Sequence, residues 1–406
     1  MRRLAFVLLV FYAFAVPWQY ALNLGEPFGN VARIAGVLLL AAAIPAALSR
    51  RVWHTPGAMQ ILVLMLFLYL AVTFFWSIDP QTTLEKIRAY FQVMMVAWIA
   101  WEFVETPAQF RTLLYALVLG SCVLSLLTLS GFFSASTAAA AQQARFTASG
   151  QDPNDVARFL DLVFPLAALL ITQTTRLSLR LLALAYIPLG ILAVILTASR
   201  GGFLGILVAL GFVALVLLRW RPAAALPSVI LSLFLGTVAW AIIPAETFAR
   251  LATIPAEFAS LDFNDRFTIW TSGLHAFAHA PWFGYGAGNY SLASGLATED
   301  TAHNTLMALL VMGGLVAASL LVAILLAALR SVLHASGLPR LAFLGVFLVW
   351  CVTASVGSVE ENRMTWLIFA CFALAGRFFA APPRAHAASP ASAPCPSLAP
   401  SSPESA

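Results

Sequence analysis

Apolar runs of roughly 20 residues, broken by short polar stretches, follow one another along almost the whole chain. A run of that length lets an α-helix cross the hydrocarbon core with its backbone groups paired internally. A transmembrane barrel strand would alternate instead, so the pattern excludes a barrel. It predicts an all-α polytopic membrane helical bundle of about 12 transmembrane helices. Their centres fall at Leu9, Leu39, Leu66, Met95, Val123, Pro165, Ile187, Leu210, Leu233, Val316, Val349 and Cys371. Four regions follow: helices one to nine over 1–243, a large polar helical and loop segment over 244–303, helices ten to twelve over 304–380, and a tail over 381–406. The tail is rich in Ala, Pro and Ser with little to bury, and is expected to be disordered.

Composition agrees with that pattern. The 406 residues are 61% hydrophobic and 10% charged, outside the range of ordinary soluble domains. Arg2, Arg3, Arg50, Arg51, Arg111, Arg176, Arg180, Arg219, Arg221, Arg330, Arg340, Arg377 and Arg384 fall on the side of the N-terminus, thirteen of the 22 cations. Only Glu102, Glu105 and Glu404 of the 17 acids join them. Basic residues mark the cytoplasmic side, so the opposite face, with its long polar segment, is expected to lie outside. The net charge of +5 reads as an insertion signal, with no basic and aromatic stripe for nucleic acid. Met1-Arg2-Arg3 and the following apolar run have the look of a signal peptide, but the run continues to Leu24 and retention is expected. Cys122, Cys351 and Cys371 lie within spans and Cys395 in the tail, so no disulfide or zinc site is expected.

Positive charge is depleted on the outer face, so each cation there needs a reason. Arg200 sits in Ala198-Ser199-Arg200-Gly201-Gly202, a tight turn between spans whose glycines supply backbone freedom; it either snorkels to headgroups or binds an anion. Arg266 follows Asn264-Asp265, a candidate cap for a helix to about His279. On that helix Phe267, Trp270, Leu274 and Phe277 form an apolar stripe, and Thr268, Ser272, His275 and His279 a polar one. Arg266 falls in the apolar arc, either awaiting an anion or pairing with Asp262. His275 and His279 have metal-ligand spacing but face away from the stripe. His303-Asn304 opens the tenth span, where the helix dipole disfavours imidazolium and leaves His303 able to act as a base. Gln151-Asp152-Pro153-Asn154-Asp155 reads as a turn capping the sixth span, and Pro281 to Tyr290 as a flexible aromatic loop suited to sugar stacking or membrane contact.

An SRGG turn, an Arg-x3-Trp helix, the PWFGYGAGNY loop and AHNTL entering a span with MGG after it occur in that order between Gln151 and Gly314. Together they resemble the O-antigen ligase and polymerase superfamily. The resemblance implies a bacterial inner-membrane glycosyltransferase whose polar segment is periplasmic. Its donor would be an undecaprenyl-pyrophosphate-linked glycan and its acceptor, for ligases, lipid A-core oligosaccharide, with membrane lipid around it. No cofactor, metal or nucleic acid is implied. Arg200 and Arg266 would clamp the pyrophosphate and His303 would deprotonate the acceptor hydroxyl, inverting the anomeric carbon. Asn304 would cap the tenth helix and fix the imidazole. Lys86 and Arg88, or Arg363 beside Glu360 and Glu361, are further candidates for the phosphates. Ala317, three residues after Gly314, departs from the Gly, Thr or Tyr common in ligases. A polymerase using the same donor remains an alternative. More remote is a glycan flippase, which would want charges at mid-membrane depth; Glu102 and Asp161 are expected near span ends.

Overall fold

The structure is a computed structural model that describes residues 1–25, 28–49, 53–134, 145–148, 150–224, 237, 241, 243–255, 266–297 and 300–380. Its helices are α1 (Arg2–Ala15), α2 (Val31–Leu48), α3 (Ala58–Val72), α4 (Pro80–Phe103), α5 (Pro107–Ser134), α6 (Pro153–Gln173), α7 (Leu177–Leu196) and α8 (Arg200–Trp220). They continue with α9 (Ala245–Ala252), α10 (Arg266–His279), α11 (Tyr290–Ala293), α12 (Thr305–His334), α13 (Gly337–Ser355) and α14 (Arg363–Phe378). Among the described residues the only β-type pairs are the isolated bridges Asn23–Asn30 and Ala335–Ala380.

Every expected span centre lies in a helix except Leu233, which is outside the described residues. Among the described residues, seven helical segments are by themselves long and apolar enough to cross a membrane, fewer than the twelve helices expected. These are α2, α3 with its 3₁₀ extension to Trp76, α5, α7, α8, α12 and α13. The physical reason lies in packing. α1 and α14 have only 14 and 16 residues, and α4 and α6 carry several charges. α6 is the axle of the bundle, packed against α5, α7, α8 and α13 and buried nearly throughout; α14 is similarly enclosed by α4 and α12. A helix surrounded by protein has little lipid to satisfy and need not read as a lipid-facing span.

The bundle is closed by small residues, as expected where helices gain little from hydrophobic exclusion. A side chain at Gly202 of α8 would collide with Ala157 of α6, and one at Gly190 of α7 would meet Phe164 of α6 at 2.9 Å. Asp161 corrects the expectation of a charge near a span end. It is nine residues into α6, fully buried, against Gly205 of α8, with neither carboxylate oxygen hydrogen-bonded.

The two ends of the bundle differ chemically. α2, α4, α6, α8, α12 and α14 start at one end, and each is capped there by a side chain: Asn30, Asp79, Asp152, Ser199, Asn304 and Asn362. Asp79 and Asp152 are each followed by proline at the first helical position, where its missing N–H costs nothing. The opposite end gathers His54 with Glu102 at 3.3 Å, Arg2 with Glu105 at 3.9 Å, and Arg377 donating to the Trp101 carbonyl at 3.0 Å. His303 lies at the capped end, here termed the site end.

α12 is not one straight rod. Gly314 has φ 63° and ψ −161°, which interrupts the helix. The glycine loop after α10 fills the interruption. Tyr285 and Gly286 donate their backbone N–H groups to the Val311 and Met312 carbonyls at 3.1 and 2.8 Å, and the Tyr69 hydroxyl donates to the Gly313 carbonyl at 2.7 Å. Leu315 N–H donates back to the Pro281 carbonyl at 2.8 Å. Each polar group freed by the break thus finds a partner, the condition for broken helices at membrane depth. This corrects the reading of Pro281 to Tyr290 as a flexible loop: Gly284, Gly286 and Gly288 all have positive φ, and the first two press on Gly313 and Ser77.

Candidate active site

The SRGG turn is built by Ala198 and Ser199 as much as by its glycines. Ala198 takes φ 47°, and Ser199 caps α8 by accepting from the Gly202 N–H at 3.2 Å. Both glycines have helical backbones that any residue could adopt, so backbone freedom is not their role. Gly202 admits Ala157, and Gly201 admits Val356, whose methyl would stand 2.8 Å from a side chain there. Close approach, rather than the turn itself, demands glycine.

Around this turn the structure gathers arginines. Arg200 and Arg250 clasp each other's segments, Arg200 Nε reaching the Arg250 carbonyl at 3.5 Å and Arg250 Nε the Ala198 carbonyl at 3.2 Å. Arg145 donates to the Thr197 carbonyl at 3.3 Å and to Asn154 Oδ1 at 3.0 Å; Asn154 also accepts from the Ser199 hydroxyl at 2.8 Å. The start of α6 is thereby tied to the start of α8. Burial, then the fields of Arg250 and Arg200, push the Arg145 guanidinium below its usual range, while Asp152 opposes them. Such crowding of like charge favours a bound anion.

His303 is half-buried with φ 46°, a left-handed conformation unusual for a non-glycine residue. Thr301 Oγ1 lies 3.5 Å from His303 Nδ1. Asn304 caps α12, accepting from the Met307 N–H at 3.0 Å, and donates its amide to the Ser355 carbonyl at 3.1 Å. Burial first, then Arg266 and Arg158, hold the His303 imidazole below its ordinary value; Asp152 and Asp300 partly offset them. The neutral ring expected from the sequence is therefore supported by burial and two arginines more than by a helix dipole, since Asn304 already occupies the helix terminus.

Arg266 begins α10. The buried stripe of that helix is Ile269, Gly273 and Ala276, with Trp270 and Phe277 partly buried beside it, whereas Phe267 and Leu274 are exposed. This corrects the apolar stripe and keeps Arg266, three residues before Ile269, on the packed side. Trp270 Nε1 donates to the Ala302 carbonyl at 2.9 Å, holding α10 next to His303. The proposed cap Asn264-Asp265 and partner Asp262 lie outside the described residues. His275 and His279 are exposed, and among the described residues no three His, Cys, Asp or Glu side chains converge as a metal site would need.

The remaining candidates separate. Lys86 pairs with Glu361 at 2.6 Å, both about one third exposed. Arg88, two residues on, points to another side of α4 and is exposed. Arg363 donates to the buried Gln19 at 2.7 Å instead of to Glu360 or Glu361. Glu360 is buried, and its carboxyl is pushed up to about 8 by burial and by the neighbouring Glu361.

Arg200 and His303 thus belong to two adjoining clusters, with Asp152 acting on both Arg145 and His303. Sequence reasoning missed Arg145, Arg158 and Arg250. Their only signal was membership among the nine cations on the face expected to lie outside.

No curated protein matches the chain. Residues 183–322 match the family model described as O-Antigen ligase, a stretch that holds Arg200, Arg266, His303, Asn304 and Gly314 but not Lys86, Arg88 or Arg158. That match places this segment of a multi-pass helical membrane protein in the O-antigen ligase superfamily, a glycosyltransferase-type enzyme family.

Proposed function

We propose that the protein transfers O-antigen polysaccharide from undecaprenyl pyrophosphate to lipid A-core oligosaccharide at the periplasmic face of a bacterial inner membrane, without a metal. The carrying observation is a half-buried His303 at the start of α12, its imidazole held below the ordinary value by burial and by Arg266, inside the matched segment. In this reading, an acceptor sugar hydroxyl attacks the anomeric carbon of the donor while His303 takes the hydroxyl proton. The bond from that carbon to the pyrophosphate oxygen breaks, and undecaprenyl pyrophosphate leaves with the electron pair. The carbon is inverted by this single displacement.

Arg200 and Arg266 bind the pyrophosphate, because planar guanidinium forks match phosphate oxygens and stay charged. Each such donor contributes about 3 kcal/mol to the transition state. Arg250 clasps Arg200, Arg145 braces the turn at the Thr197 carbonyl, and both add to the local potential. Asn304 fixes the backbone beside His303. Lys86, engaged by Glu361, and exposed Arg88 serve at most the approach of the anionic donor.

Purified protein given lipid-linked glycan and either lipid A-core or a second lipid-linked glycan tests this reading. A glycan joined to lipid A-core is expected. Extension of the lipid-linked glycan would replace the ligase by a polymerase, and no transfer with either acceptor would overturn both.

A further inference from the structure

Arg158 lies one helical turn into α6, outside the segment matched by the family model. Its side chain is only 12% exposed. One terminal nitrogen pairs with Asp155, while Nε is buried without a hydrogen-bond partner. Its other terminal nitrogen occupies the space that a side chain on residue 357 would fill, so Gly357 is required for the guanidinium to sit there. A buried cation left partly unsatisfied costs stability and calls for a reason.

The segment that Arg158 touches, Ser355 to Val359 between α13 and α14, grips the residues after His303. The Ser355 carbonyl accepts from the Asn304 amide at 3.1 Å and the Gly357 carbonyl from the Thr305 hydroxyl at 2.9 Å. The Val359 N–H donates to the same hydroxyl at 2.9 Å. Between them, Val356 packs on Gly201 of the SRGG turn. The segment is thus a strap with α6 behind it, α8 at its side and the start of α12 in its grasp.

We propose that Arg158 is a positioning residue for His303: seated on Gly357, it fixes the strap that holds Asn304 and Thr305, and so sets the place and charge environment of the imidazole. The charged groups acting on His303 are Arg158 from α6, Asp152 that caps α6, Arg266 from α10 and Asp300 from the preceding loop. Removing Arg158 leaves Arg266 as the cation of that set. The inference rests on reading His303 as the base.

The test uses the full-length protein with Arg158→Gln, Arg158→Lys, Gly357→Ala and the double variant Arg158→Gln/Gly357→Ala. Two readouts are taken: kcat and KM for transfer, and the pH dependence of His303 carbethoxylation by diethyl pyrocarbonate, followed by mass spectrometry of its peptide. Arg158→Gln is expected to lower kcat about 10-fold with little change in KM, and to raise the His303 titration midpoint by about half a pH unit. Gly357→Ala, which unseats the guanidinium, is expected to lower kcat similarly, and the double variant to be no worse than either single one. Arg158→Lys should keep the titration near that of the unaltered protein while losing part of kcat; if Arg158→Gln does not fold, Arg158→Lys and Gly357→Ala carry the kcat test. Additive losses in the double variant, or full kcat in Arg158→Lys together with Gly357→Ala, would overturn the proposal. So would an unmoved His303 midpoint in a folded Arg158→Gln. Full transfer by His303→Ala would instead remove the base from the proposed reaction, while the titration would still report whether Arg158 governs the ring.

Discussion

The backbone N–H of Gly286 donates to the Met312 carbonyl at 2.8 Å, a sheet-like bond made by a loop to a helix two turns inside α12. It exists because Gly314 leaves the helical path and Gly284 has no side chain to keep the loop away. Gly314→Ala would add a methyl against the Trp282 carbonyl at a residue with φ 63°. With ψ −161° this backbone lies in a region essentially restricted to glycine, and another residue there costs on the order of 1–3 kcal/mol before any clash. The variant should unfold several degrees lower in detergent and transfer poorly. An unchanged melting temperature would mean that the joint carries no load.

His303→Ala should reduce transfer by about 10²–10⁴ while leaving expression and melting temperature close to those of the unaltered protein. The pH profile follows from the lowered imidazole value. A base with a depressed value stays unprotonated further into acid, so the acid limb of kcat/KM should have its midpoint below the ordinary imidazole value of 6.5. A midpoint at or above pH 6.5 would contradict the electrostatics around the ring.

Arg266→Lys keeps the charge but loses the fork, and should cost about 10²–10³ in kcat/KM. Arg200→Lys should also disturb the clasp with Arg250, so its melting temperature is expected to fall with activity. Near-full activity in Arg266→Lys would remove that residue from the clamp.

Transfer should survive EDTA, since the arginines are assigned the charge neutralisation that a divalent ion would otherwise supply. Loss of activity that Mg²⁺ or Mn²⁺ restores would give the role to a metal.

Glu360 makes stability depend on pH. Unfolded, its carboxyl titrates near 4.5; folded, near 8, so between those values the folded chain binds more proton than the unfolded one. Stability from this group is therefore whole below pH 4.5 and declines as pH rises toward 8. Glu360→Gln should flatten the melting temperature over that window, and an unaltered slope would show that another group sets it.

The lipid-facing helices were legible because lipid imposes its own composition on what touches it, as on α7 and α8. α6 and α14 were placed correctly, yet their burial was not legible, since a helix wrapped by others obeys packing rather than hydropathy. Asp152 as a cap and His275 with His279 as outward residues followed from local spacing. The contacts that organise the site were invisible for a different reason. Arg158 with Gly357, and Gly286 with Met312, join positions distant in sequence, and no single-sequence period reports such pairs. SRGG showed the limit most clearly: its glycines were noticed, but the cause, Ala157 and Val356 pressed against them, lay elsewhere in the chain.

The break at Gly314 has a consequence for how the protein sits in bilayers of different thickness. The residues beyond it, Leu315 to His334, make a helix of roughly 30 Å, enough alone to match a typical hydrocarbon core. Hydrophobic mismatch is commonly absorbed by tilt, and a joint lets this lower half tilt while the upper half stays bonded to the loop. His303 then keeps its alignment with α6 and α8 when lipid composition changes.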